Sequence, residues 1–263
     1  MSGIRYPAVA GLFYPADAQE LRASVRDYLQ QAKPPAEAKP PKAIIVPHAG
    51  YVYSGPIAAS AYKRLLPLRG IVSRVVLLGP AHRVAVRGLA LPSSTSFMTP
   101  LGRIEIDSEI AGALTALPQV SVNNATHADE HSLEVHLPFL QEVLGEFKLV
   151  PLVVGDATAE QVAEVLEAVW GGDETLIVIS SDLSHYLDYD TATALDRKTS
   201  NTIEALEYEQ LSYDQACGRI PVSGLLCLAR KKGLHGETID LRNSGDTAGS
   251  RDRVVGYGAY VFH

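Results

Sequence analysis

Three apolar runs in this chain each end within a few residues of a histidine, and no other feature constrains the fold as strongly. Ala43-Ile44-Ile45-Val46 leads into Pro47-His48-Ala49-Gly50-Tyr51, and Arg74-Val75-Val76-Leu77-Leu78 into Gly79-Pro80-Ala81-His82. The run over 175–179 leads into Ser180-Ser181-Asp182-Leu183-Ser184-His185, and a fourth run of the same kind covers 148–154. Short continuous apolar runs read as strands buried on both faces. Helical patterns alternate with them, over 21–31, 56–66, 131–144, 158–170, 189–207 and 223–232. In 158–170, Ala159, Val162, Val165, Leu166 and Val169 fall near one face. Shorter strands are expected over 86–91 and 102–106, paired around the turn Thr99-Pro100-Leu101-Gly102, with two more over 238–241 and 254–262. Buried strands alternating with helices predict an α/β fold, a mainly parallel or mixed central sheet flanked by helices.

The length of 263 residues suits one large domain with a well-buried core, and the even spread of 46 % apolar and 20 % charged residues favours one domain over two. The stretch over 32–41, with four prolines and alternating charges, reads as a surface connection. A formal net charge of −7 argues against nucleic acid as a partner, because phosphate binding needs clustered Lys and Arg. No apolar run reaches the roughly 18–20 residues a bilayer requires, so no membrane partner is expected. Two cysteines, Cys217 and Cys227, are too few for a disulfide framework, and the opening residues lack a signal-peptide core. A cytoplasmic location is the expectation.

If the strands run parallel, His48, His82, Asp182 and His185 converge outside their carboxyl ends, where open α/β sheets bind ligands. One histidine after a strand is an ordinary hydrogen-bonded loop residue; three at equivalent places point to a built site. Neutral imidazole suits iron, copper and zinc, and a carboxylate or thiolate completes such a set. A second cluster, Glu130-His131-Ser132-Leu133-Glu134-Val135-His136, follows His127. On a helix His131 and Glu134 share a face, which makes both candidates for lining the cleft, and His136 is turned away. The alternative is a polar helix start in which Asp129 and Glu130 complement the macrodipole. Cys227 sits in an apolar helix as a small core residue. Spacing leaves Cys217 open between burial and reactivity. No phosphate loop, dinucleotide fingerprint or nucleophile elbow is present.

Together these segments resemble a known family. Pro7-Ala8-Val9-Ala10-Gly11-Leu12-Phe13-Tyr14-Pro15, Pro47-His48-Ala49-Gly50-Tyr51, Gly79-Pro80-Ala81-His82 and Glu130-His131-Ser132-Leu133-Glu134 come first. Ser180-Ser181-Asp182-Leu183-Ser184-His185, Cys217-Gly218-Arg219 and Ser244-Gly245-Asp246 follow in order. They resemble the Memo family, named for a mediator of cell motility and called AmmeMemoRadiSam system protein B in microbes. The resemblance implies a fold like that of class III extradiol dioxygenases, which use non-haem iron. It implies His48, His82 and Cys217 as metal ligands, with iron or copper as cofactor. It also implies Asp182 and His185 as catalytic groups; beside these, Tyr51, His131 and Glu134 are expected from their place in the sequence to line the cleft. Cys217 stands where the dioxygenases carry a glutamate, and thiolate changes metal preference, so ring opening does not transfer.

Three functions follow as expectations. The first is a metal-dependent redox protein. The second is a non-catalytic module that takes a peptide or a small anionic or aromatic molecule in the same cleft, with Arg83 beside His82 favouring an anion. The third, by analogy alone, is an accessory subunit to AMMECR-type and radical-SAM proteins.

Overall fold

The computed structural model describes residues 3–33 and 39–263. The centre of the proline-rich stretch, read above as a surface connection, lies outside them. Among the described residues, twelve strands form one mixed sheet. They are Ile4–Arg5 (β1), Ala43–Val46 (β2), Arg74–Pro80 (β3), Leu89–Leu91 (β4), Ser96–Thr99 (β5), Gly102–Ile106 (β6), Val120–Val122 (β7), Lys148–Val154 (β8), Thr175–Ser180 (β9), His185–Leu187 (β10), Gly236–Asn243 (β11) and Val254–Phe262 (β12). The order is β1-β5-β6-β8-β3-β9-β2-β12-β10; β11 pairs with β12, and β4 pairs with β7 and β8. The helices are Ala18–Gln31 (α1), Tyr51–Tyr62 (α2), Ser108–Leu114 (α3), Ala125–Ala128 (α4), Leu137–Leu144 (α5), Ala159–Ala168 (α6), Tyr189–Glu204 (α7) and Arg219–Lys232 (α8).

The four central strands β8, β3, β9 and β2 are mutually parallel, with Val76 in register between Val150 and Ile177. β12 closes that group antiparallel to β2, Tyr260 opposite Ile45. Side chains alternate between two apolar layers, as the strand period requires. Ile44, Val46, Val75, Leu77 and Val178 pack with α1, α2 and α5. Ile45, Val76, Leu78, Ile177 and Ile179 pack with α6 and α8. Each fully buried side chain of this kind contributes about 1.5–3 kcal/mol, so layer packing rather than local propensity fixes these strands. The result is the α/β sheet flanked by helices that the apolar runs predict.

Three local expectations change. The strand over 102–106 does pair around the turn at 99–102, but with Ser96–Thr99, while Leu89–Leu91 pairs with β7 and β8. α2 starts at Tyr51, a turn before Pro56, because the Tyr51 N–H bonds the Phe13 carbonyl and the Ser54 hydroxyl bonds the Ala49 carbonyl. The helix expected over 131–144 begins only at Leu137, after a single tight turn over Glu134–His136. The Glu130 carboxylate accepts the backbone N–H groups of His131 and Ser132, a local bond that competes with helix formation.

A histidine cluster at the strand ends

Because β2, β3 and β9 are parallel neighbours, His48, His82 and Asp182 emerge at one edge of the sheet. His48 follows β2, His82 follows β3, and Asp182 follows β9 between them. His131 joins them from the segment before α5. One ring nitrogen from each of His48, His82 and His131 lies within 4.8 Å of the others. The His82 and His131 rings stack at 4.7 Å and 20°, and the His48 ring meets each of them edge-on at 5.1 and 5.5 Å. His48 is buried and His82 exposed, so the cluster opens to solvent on the His82 side.

Hydrogen bonds set the ring orientation of two of the three. The Ser180 hydroxyl donates to the Ser132 carbonyl at 2.6 Å. Its lone pairs therefore face His48 Nδ1, 2.6 Å away, which must carry the proton and donate. That leaves His48 Nε2 with a free lone pair pointing toward Cys217 Sγ at 3.4 Å. His82 is held in the same way, its Nδ1 donating to Glu130 Oε1 at 2.9 Å while its backbone N–H donates to Glu130 Oε2 at 2.6 Å. Burial works to raise the Glu130 pKa, but bonds from the His82 ring and backbone and from Ser132 outweigh it and bring it down to about 2. A carboxylate behind an imidazole is the usual outer support of a metal-ligating histidine. His131 Nδ1 is buried and has no hydrogen-bond partner.

Cys217 lies against the end of β9. The Asp182 backbone N–H donates to its sulfur at 3.3 Å, and its own N–H donates to the Asp182 carbonyl at 3.3 Å. The approach depends on Gly218, where a Cβ would stand 2.4 Å from the Ser180 carbonyl oxygen. Burial and the Asp182 charge push the Cys217 thiol up to about 12. Asp182 Oδ1 accepts the His48 backbone N–H at 2.7 Å, and Oδ2 lies 3.9 Å from His48 Nε2. Burial raises the Asp182 pKa. Burial, with the charges of His82 and His131, holds the His48 pKa well below the usual imidazole value, so the ring is neutral. His185 is exposed at the rim, its Nδ1 donating to the Leu183 carbonyl at 2.8 Å, which leaves Nε2 free.

Two residues expected to line the cleft do not. The Glu134 carboxylate is fully buried and faces the N-terminal segment, where it pairs with Arg5 and accepts from Ala8 N, Val9 N and the Tyr14 hydroxyl. The Tyr51 hydroxyl donates to the Val135 carbonyl, and its ring packs among Tyr14, Tyr28 and Phe139. Both expectations rested on helical spacing or sequence adjacency, and burial with fixed partners overrides each. His127 bonds the Ala90 carbonyl and His136 bonds the Tyr62 hydroxyl, so neither joins the cluster. Ser180 and Glu130 are the functional positions that sequence reasoning passed over. The signal for Glu130 was its place directly before His131, read above as a helix start.

The fold and the cluster together define an α/β protein with a candidate metal centre at the carboxyl edge of its parallel strands. The chain belongs to the Memo family: the family model described as Memo-like protein matches residues 5–261. MEMO1 family proteins from Aquifex aeolicus and Sulfolobus acidocaldarius are 38% and 37% identical to it. The first alignment covers 98% of this chain and 99% of the relative, the second 97% of each. An uncharacterised protein from Escherichia coli K12 shares the fold at a TM-score of 0.53 and 13% identity, over 83% of this chain and 98% of that one. Among the described residues, no helix is long and apolar enough to cross a membrane.

Proposed function

We propose that this chain binds a redox-active transition metal, iron or copper, through His48 and His82 with Cys217 and His131 as the neighbouring donors. The observation that carries the reading is the grouping of three ring nitrogens within 4.8 Å at the strand ends. The orphaned Nδ1 of His131 supports it, since a buried polar atom without a partner is costly. So do the bonds that Nδ1 of His48 and of His82 donate to Ser180 and Glu130, which leave Nε2 of each ring to offer a lone pair. Imidazole with an adjacent thiol suits iron, copper and zinc; the redox reading favours the first two.

When bound, such a metal supplies Lewis acidity and one-electron chemistry to a ligand in the cleft. This chain's own residues do the rest. Cys217, a thiol in the free protein, gives up its proton to become a ligand, and metal affinity therefore rises with pH. Asp182, its pKa raised by burial, stands beside His48 as the buried acid–base group of the cluster, and His185 presents a free Nε2 at the open rim. The exposed side of His82 is the route by which a small molecule reaches the cluster.

The test is anaerobic purification followed by metal analysis of the wild type and of His48→Ala, His82→Ala and Cys217→Ala. Near-stoichiometric iron or copper in the wild type, lost in His48→Ala and His82→Ala, is the expected result. Equal, negligible metal in all four would sink the proposal.

A further inference from the structure

His48 and His82 each donate a hydrogen bond that fixes the ring, Nδ1 of the first to Ser180 Oγ and Nδ1 of the second to Glu130 Oε1. His131 has none at Nδ1, where the nearest charged group is Glu130 Oε1 at 3.5 Å, so its ring is positioned largely by the aromatic rings against it. One face of the ring stacks on His82; the Phe13 ring packs against it at 4.8 Å and 48°. Phe13 belongs to the segment over residues 5–14, which meets the first residues of α2. Its carbonyl accepts the Tyr51 N–H at 2.8 Å, three residues after His48. The segment is tied down by one buried carboxylate. Glu134 takes the Arg5 guanidinium, Ala8 N at 2.8 Å, Val9 N at 3.0 Å and the Tyr14 hydroxyl at 2.6 Å. Burial and the Glu134 charge raise the Tyr14 pKa, so its hydroxyl keeps the proton it donates. Glu134 thus stands three residues from His131 and holds the segment that carries Phe13.

We propose that Phe13 is the positioning residue of the third imidazole, His131, and that Glu134 acts through it by anchoring the N-terminal segment. The site is then supported from two sides by different means, with hydrogen bonds behind His48 and His82 and an aromatic wall beside His131. The inference rests on the metal reading only for its second readout. Phe13 is partly exposed and contributes to no strand, so its replacement leaves the sheet intact. Leu12, 80% exposed next to it, is the matched control.

The experiment compares Phe13→Ala, Phe13→Tyr, Leu12→Ala and Glu134→Gln with the wild type, first as metal-free protein. Histidine ring nitrogen–proton correlation spectra are expected to show His131 signals shifted or broadened in Phe13→Ala and Glu134→Gln. They should be restored in Phe13→Tyr and unchanged in Leu12→Ala, with His48 signals constant throughout. His131 signals in Phe13→Ala that superimpose on the wild type would overturn the proposal, and unchanged signals in Glu134→Gln would overturn the anchoring role. Cobalt(II) titration is the second readout, with affinity expected to fall about tenfold in Phe13→Ala. Equal cobalt affinity in Phe13→Ala and Leu12→Ala also counts against it. A wild type that takes no cobalt refutes the metal reading, while the ring spectra still decide the role of Phe13.

Discussion

At the residue scale, Ser180 links a buried histidine to the backbone of a distant segment. Its hydroxyl has one proton, and that proton goes to the Ser132 carbonyl, so the tautomer of His48 follows from simple valence. Ser180→Ala leaves both the His48 Nδ1–H and the Ser132 carbonyl without this partner in the interior. Stability should fall by about 1–3 kcal/mol, measured by urea unfolding, and metal affinity by roughly tenfold. A variant with unchanged unfolding midpoint and unchanged affinity would show that His48 is held by other contacts. None of this pairing is legible in the sequence, where Ser180 and Ser132 are 48 positions apart. What was legible is the histidine itself, because a polar residue directly after a fully apolar strand must sit where the sheet ends. Glu134 shows the opposite. Its partner Arg5 lies 129 residues away, so spacing suggested a cleft carboxylate where packing made a buried anchor.

Among the elements, the inner strands were readable to within a residue or two because both faces of each are buried and the run is continuously apolar. Ser96–Thr99 and Val120–Val122 were not, since they are short, lie toward the sheet's margin and mix polar with apolar residues. The turn at Glu134–His136 was read as helix because its residues tolerate helix, and the competing bonds from Glu130 cannot be inferred from propensity. α7 carries a further consequence for the loop that holds Asp182 and His185. Asp196 in this helix accepts the Ser184 N–H at 3.0 Å and is packed against Gly256, where a Cβ would stand 1.9 Å from its carboxylate. Burial raises its pKa to about 6, against the opposing pull of the Ser184 bonds. The folded pKa therefore lies above the unfolded value of roughly 3.9. The stabilising contribution is complete below that unfolded value and is lost as pH rises through about 6. Asp196→Asn should accordingly melt higher than wild type at pH 7.5 and lose that advantage by pH 4. A gap in melting temperature that does not narrow with acid would refute the assignment.

For the whole molecule, the α/β layering, with helices over both faces of the sheet, was foreseeable from the alternation of apolar runs and helical patterns. Which strands adjoin was not, and the order β8-β3-β9-β2 is what sets Asp182 between His48 and His82. Since the donors arrive from β2, from β3, from the segment before α5 and from the start of α8, a metal held by them bridges separate parts of the fold. Binding to the native state alone stabilises by about 2.7 kcal/mol at a free concentration one hundred times Kd. The wild type should therefore melt several degrees higher with metal present, and His48→Ala should show no shift. A metal-induced shift of equal size in His48→Ala would place the binding elsewhere on the surface.

The tie between Arg5 and Glu134 also bears on the order in which the chain takes shape. Residues 5–14 are made early, yet their charged partner is made 129 residues later, and the contact of His48 with Cys217 spans 169. Contacts of such separation are slow to close and form after local structure. A growing chain therefore carries its N-terminal segment without its buried carboxylate anchor until residue 134 has been made, and the histidine cluster takes its final shape only once α8 has docked.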